Sequence, residues 1–117
     1  MGIVAERRAG DAEFSVRRRG EWAQVTVTGE LDLSTADALQ DHLDAAMRLR
    51  KCPQVLVDVT RMTFCDSSGL NVLLRARKRI SALRGRLVLL RPTDRFARVL
   101  RTTGLDGVFD IRDASPA

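Results

Sequence analysis

The tightest constraint on how this chain can fold is a handover near its middle. Val55-Leu56-Val57-Asp58-Val59 is apolar apart from Asp58. That pattern suits a strand covered on both faces, as parallel strands are. After a short loop comes a stretch, 67–83, in which Gly69, Val72, Leu73, Ala76, Ile80 and Leu83 repeat on one side of a helical period. Between the two lies Cys65-Asp66-Ser67-Ser68-Gly69-Leu70. Two adjacent hydroxyls in the first turn of a helix, with a carboxylate before them and a glycine after, form either a cap or a switch.

The other segments fit around this unit. Residues 1–12 mix Gly, Ala and charge without periodicity, as expected of a frayed N-terminal tail. Residues 13–17 alternate polar and apolar, a half-buried strand. Arg18-Arg19-Gly20-Glu21 is the turn to a second, β-branched strand over 22–28, and the two should pair as a hairpin. A helix is expected from Ser34, where Ser34-Thr35-Ala36-Asp37 fits a capping box. Ala36, Leu39, Leu43, Ala46 and Met47 share its apolar face, and His42, the only histidine, is placed on its polar flank. Pro53 closes this region.

The second helix carries a basic outer face of Arg75, Arg77, Lys78 and Arg79, and Gly85 ends it. A strand over 86–90, a third helix capped by Asp94 and a short strand over 107–111 complete the chain, with a polar tail over 113–117. The order is β-β-α-β-α-β-α-β. It predicts a single α/β domain over 13–112 with a mixed, mostly parallel β-sheet and helices.

Composition removes several classes of function. At 117 residues the chain is one domain in size. Aromatics make up 4% and tyrosine is absent, so the core must be mainly Leu and Val. No apolar run reaches the ~18 residues of a membrane helix. Glu6, Arg7 and Arg8 interrupt any signal-peptide core, so the expected compartment is the cytoplasm. Cys52 and Cys65 lack metal-ligand spacing, and with one histidine no metal site is expected. There is no phosphate-binding glycine loop, so no nucleotide cofactor is expected either. A nucleophilic serine needs a base, and Asp-Ser-Ser-Gly is not a nucleophile elbow. The expectation is that the protein is not an enzyme. All cationic residues but Lys51 and Lys78 are arginine, and the net charge is +5. Such a balance admits nucleic acid or an acidic partner. The arginines are spread along the whole chain, so an ordinary solvated surface is the plainer reading and nucleic-acid binding is disfavoured.

Capping and switching remain open for the Ser pair. As a cap, Asp66 or Ser67 accepts bonds from free amides of the first turn, worth roughly 0.5–2 kcal/mol. That still leaves a hydroxyl at the positive end of the helix dipole, where a phosphate would meet unpaired N–H groups. A phosphate there adds about −1.5 to −2 charges beside Asp66, enough to repel or obstruct a partner docked over the turn.

Asp66-Ser67-Ser68-Gly69-Leu70, followed by Val72-Leu73-Leu74, resembles the signature of bacterial anti-sigma-factor antagonists of the STAS family. Gly29-Glu30-Leu31-Asp32 resembles that family's first loop, and 55–59 with Phe64 its central strand. Thr103-Gly104-Leu105 with Phe109 resembles its last helix and strand. The resemblance covers roughly 13–112. It implies a partner-switching protein without a cofactor of its own. Such a protein binds an anti-sigma factor that is also a serine kinase, and binding releases a sigma factor. It loses that binding when phosphorylated, and a phosphatase restores it. By position in the motif the acceptor would be Ser68, with Ser67 as the alternative. Asp32, Asp66, Ser67, Ser68, Gly69 and Leu70 would form the docking surface, and the partner would hold the ATP. The competing expectation is a STAS module that is never phosphorylated and serves a signalling scaffold or a transporter complex. Cys65 is expected to be a packing residue, with an oxidisable thiol beside the switch as the other possibility.

Overall fold

The computed structural model describes residues 2–117; Met1 lies outside the described residues. Its elements are β1 (Ile3–Ala9), β2 (Ala12–Arg19), β3 (Trp22–Leu31), α1 (Ala36–Met47), β4 (Gln54–Cys65), α2 (Ser67–Ala82), β5 (Arg86–Leu90), α3 (Asp94–Thr102), a 3₁₀ turn (Leu105–Gly107) and β6 (Asp110–Arg112). The strands form one sheet in the order β1-β2-β3-β4-β5-β6. β2 pairs antiparallel with both β1 and β3, and β3 to β6 are parallel. The mixed, mostly parallel α/β architecture expected from the sequence is therefore the one observed, with one strand added at the front.

That added strand corrects the expected 1–12 tail. Glu6, Arg7 and Arg8 are exposed in β1, and an edge strand with a single neighbour needs little apolar surface to pair. Its hairpin closes through Gly10 at φ +55, a conformation that favours glycine.

All three helices lie on one face. Leu39 and Leu43 of α1, Leu73 and Ile80 of α2, and Phe96 and Leu100 of α3 join Val25, Val57 and Leu89 of the sheet in one buried cluster. Alternation along the strands sends Trp22, Leu56, Val88 and Leu90 to the opposite face, where they form a second, small cluster. The Arg86 guanidinium lies 5.2 Å from the centre of the Trp22 ring there.

Several boundaries differ from expectation. β4 does not stop at Val59 but continues to Cys65, because β3 also continues and the two pair as far as Leu31 with Cys65. The expected loop before α2 shrinks to Asp66. Helix α1 begins at Ala36 rather than Ser34, and Thr35 in the cap position makes no side-chain cap bond. α3 is capped by Thr93, whose hydroxyl accepts from the Phe96 amide at 3.2 Å, with Asp94 in the first turn. The last strand starts later than expected, because the 3₁₀ turn occupies 105–107. Leu83 falls outside the stripe of α2 and is exposed.

His42 is not on the surface. It is buried, its ring stacks on Phe14 with centroids 5.4 Å apart, and its Nδ1 lies 2.6 Å from the Ala38 carbonyl oxygen. A carbonyl one turn back satisfies the ring nitrogen, which lets α1 bury a polar residue against the hairpin. The basic face of α2 is also partly engaged. Arg79 pairs with Asp44 of α1 at 2.8 Å, and Arg77 donates to the Val108 carbonyl at 2.9 Å. Arg75 and Lys78 belong to that face without such bonds among the described residues.

Candidate functional site

Parallel pairing brings the C-terminal ends of β3 and β4 to the same end of the sheet. The Asp66 amide donates to the Leu31 carbonyl at 3.0 Å, which ties the start of α2 to the end of β3. Asp32 follows Leu31 directly, so the Gly-Glu-Leu-Asp and Asp-Ser-Ser-Gly segments meet here, far apart in sequence. Gly29, at φ +97, lets β3 pass close to the β1–β2 turn: a Cβ there would sit 2.1 Å from the Asp11 carbonyl oxygen.

The cap resolves onto one residue. Asp66 Oδ1 accepts from the Ser68 amide at 2.8 Å and from the Gly69 amide at 3.3 Å. Ser67 lies in the first turn and is exposed; Ser68 is half-buried. Neither hydroxyl takes part in a hydrogen bond among the described residues. Gly69 has a packing reason beyond its chain position. A Cβ on it would stand 2.9 Å from Leu31 Cβ and 3.0 Å from Cys65 Sγ, so the first turn of α2 rests directly on β3 and β4. Leu70 is buried in the main core and supports the turn from beneath.

The Asp32 turn is built differently. Asp32 Oδ1 accepts from the Ser34 amide at 3.0 Å and from the Ser34 hydroxyl at 2.6 Å, and the Thr35 hydroxyl oxygen lies 3.3 Å away. The Ser34 hydroxyl bond is the main reason the carboxyl is held below its ordinary value. Thr35 is fully buried; its hydroxyl donates to the Glu30 carbonyl at 2.8 Å and accepts from the Asp32 amide at 2.9 Å. The turn is thus locked by its own side chains.

Cys65 is buried, and burial, with the nearby Asp66 carboxylate second, pushes its thiol up to about 12. A thiol so far from ionising is a poor target for oxidants, which favours the packing role. Two apolar residues at this end of the sheet stand out that sequence reading had not singled out as surface. Leu33 is 81% exposed and Phe64 38% exposed. The Arg95 guanidinium lies 5.6 Å from the centre of the Phe64 ring. Leu33 could have been noticed as an apolar residue between two hydrogen-bonding turn formers; Phe64 falls in the stretch expected as a loop, where strand facing gives no signal. No group of acidic, histidine or cysteine side chains that could hold a metal ion occurs among the described residues. No helix among them is long and apolar enough to cross a membrane.

A six-stranded mixed sheet with two Asp-led turns meeting at one end can be compared with known proteins. The family described as "Mlab, STAS domain" matches residues 14–112. An anti-sigma F factor antagonist of Paenibacillus polymyxa is 32% identical over 89 residues, 76% of each chain. The chain belongs to the STAS-domain anti-sigma-factor antagonist family. An anti-sigma-B factor antagonist of Listeria monocytogenes is 29% identical over 76% of this chain and 77% of the relative. Among solved structures, an anti-sigma factor antagonist from Mycobacterium paratuberculosis superposes with a TM-score of 0.77 at 24% identity, covering 88% of this chain and 86% of the other. SpoIIAA, the Bacillus cell fate determinant in its phosphorylated form, gives 0.66 at 23% identity over 88% and 92%. At those identities the two structures speak for the shared fold.

Proposed function

We propose that this STAS domain is an anti-sigma-factor antagonist switched off by phosphorylation of Ser68. The observation that carries the reading is the division of labour at α2: the Asp66 carboxylate caps the amides of Ser68 and Gly69, and the Ser68 hydroxyl makes no hydrogen bond among the described residues. The curated relatives antagonise anti-sigma factors, and the same role here gives the exposed end of the sheet its partner. Asp32, Asp66, Ser67 and Ser68 supply polar contacts, while Gly69 and Leu70 hold the turn in place.

The partner is an anti-sigma factor with serine kinase activity that carries the ATP. The Ser68 oxygen attacks the γ-phosphorus, the bond to the departing ADP breaks, and the hydroxyl proton leaves to a base on the kinase. The product places a phosphate next to Asp66 at the docking surface, and like charge at an interface can cost several kcal/mol. A phosphatase removes the phosphate and restores binding. The domain itself acts by binding rather than by catalysis, and its place of action is the cytoplasm.

The test is phosphosite mapping after incubation with the cognate kinase and ATP. One phosphate on Ser68 is expected. Labelling of Ser67 instead would move the acceptor by one residue. Absence of any label, with the chain recovered in a scaffold or transporter complex, would replace the reading with that of an unmodified STAS module.

A further inference from the structure

We infer that the free edge of β1 is a self-association surface on which a second copy of this chain pairs, antiparallel, in a register centred on Arg7. β1 is an outer strand of the sheet, and nothing among the described residues pairs with its other side. Its register against β2 shifts between Ile3 and Ala5, so its regular part is residues 5–9, bounded beyond by the turn at Gly10.

Facing is set by the partners in β2. Ala5, Arg7 and Ala9 lie opposite the buried Val16, Phe14 and Ala12, on the helix side of the sheet. Glu6 and Arg8 lie opposite Ser15 and Glu13, on the helix-free side. In an antiparallel ladder, opposed residues are either both hydrogen-bonded or both not. Two copies meeting through the same edge must therefore oppose residues that differ by an even number. Few registers remain. Centring on Glu6 sets it against the partner's Glu6. Centring on Arg8 sets it against the partner's Arg8. Centring on Ala5 runs into the register shift. Centring on Arg7 uses residues 5–9 completely. It sets Glu6 against the partner's Arg8 and Arg8 against the partner's Glu6, two opposite-charge pairs on the helix-free face, where each Arg8 also reaches Glu13 of its own β2 at 3.2 Å. It also sets Ala5 against the partner's Ala9, which is sterically undemanding.

The remaining like pair is Arg7 with the partner's Arg7 on the helix side. Arg7 is already held by Asp41 of α1 at 3.2 Å, so its charge is matched within its own chain. Charges on an edge strand usually guard it against pairing. Here their order along the strand rejects the neighbouring registers and leaves one acceptable. The product is one continuous sheet with the helices of both copies on the same side, which leaves the α2 end of each copy free. The inference is independent of the Ser68 reading.

Sedimentation velocity on the full chain tests it, with circular dichroism confirming that each variant is folded. The wild-type chain should show a concentration-dependent monomer–dimer equilibrium. Glu6→Arg alone and Arg8→Glu alone should each weaken self-association by roughly tenfold, since each turns both cross-strand pairs into like-charge pairs. An equal mixture of the two variants should dimerise again, because Arg then faces Glu at both positions. With Cys52→Ser as background, Arg7→Cys should form an intermolecular disulfide on mild oxidation faster than Glu6→Cys. A wild-type chain that stays monomeric at every concentration, a mixture that fails to associate, or equal crosslinking at 6 and 7 would overturn the inference.

Discussion

Two turns at one end of the sheet have nearly the same ingredients and opposite character. Asp32-Leu33-Ser34-Thr35 and Asp66-Ser67-Ser68-Gly69 each place an aspartate and two hydroxyls just ahead of or within the first turn of a helix. In the first, the Asp32 carboxylate binds the Ser34 hydroxyl at 2.6 Å, and the buried Thr35 hydroxyl bonds backbone on both sides. In the second, the carboxylate accepts from backbone amides, and neither hydroxyl is hydrogen-bonded among the described residues. What separates them is the donors: Asp32 accepts from the Ser34 hydroxyl as well as the Ser34 amide, and Asp66 from helix amides alone. A carboxylate turned to side-chain hydroxyls locks a turn. A carboxylate turned to helix amides caps the helix and leaves the hydroxyls available for chemistry.

The sharpest way to break this contrast is to put a charge in each turn. Ser68→Asp should weaken binding to the anti-sigma partner by several kcal/mol through like-charge contact at the interface; Ser34→Asp should act mainly on stability. Titration calorimetry and thermal melts on both variants decide it, and an unchanged affinity for Ser68→Asp would remove the switch.

Next in size is Thr35→Val. It keeps the volume but leaves the Glu30 carbonyl and the Asp32 amide without their hydroxyl partner, a loss of about 1–3 kcal/mol for buried groups. Chemical denaturation should show it. Ser67→Ala, by contrast, should be nearly silent in stability, because its hydroxyl is free.

Asp66→Ala removes the cap of α2 and should cost roughly 0.5–2 kcal/mol. Hydrogen exchange should locate the loss in the first turn of α2, with α1 unaffected. A loss spread evenly over both helices would mean that Asp66 acts through the β3–β4 junction and not as a cap.

The smallest effect is pH dependence at the Asp32 turn. The folded carboxyl sits below its ordinary value of 3.8, chiefly through the Ser34 hydroxyl bond. Its contribution is therefore fully present above 3.8 and is lost as pH falls through the lower, folded value. Asp32→Asn should remove that part of the acid sensitivity. The group is solvent-exposed, so screening keeps the effect slight. Comparison of melting temperatures at neutral and acid pH, variant against wild type, reads it.

Much of this was legible before any coordinates. The run 55–59 and the stripe from Gly69 to Ile80 carry their periods openly, because both elements are buried on defined faces and apolar side chains must repeat with the geometry. A cap by Asp66 or Ser67 was legible for a local reason, since a carboxylate reaches amides two and three residues on whatever the rest of the chain does, and the structure gives it to Asp66. Local logic failed at Ser34, where the residues fit a capping box. The carboxylate that bonds Ser34 comes from Asp32, behind it, and helix α1 starts two residues later.

The sequence by itself determined the alternation of strands and helices, the mainly aliphatic core and the candidate serines, all properties of neighbours along the chain. Only the tertiary structure decided that Glu6-Arg7-Arg8 forms a strand, since an edge strand takes its order from its partner rather than from apolar content. Only there does His42 become a core residue, because the hairpin beneath α1 widens the face that helix buries. Only there does Gly69 acquire its reason, the contact of the first turn of α2 with Leu31 and Cys65. Distances across the fold set these three features, and no spacing along the chain encodes them.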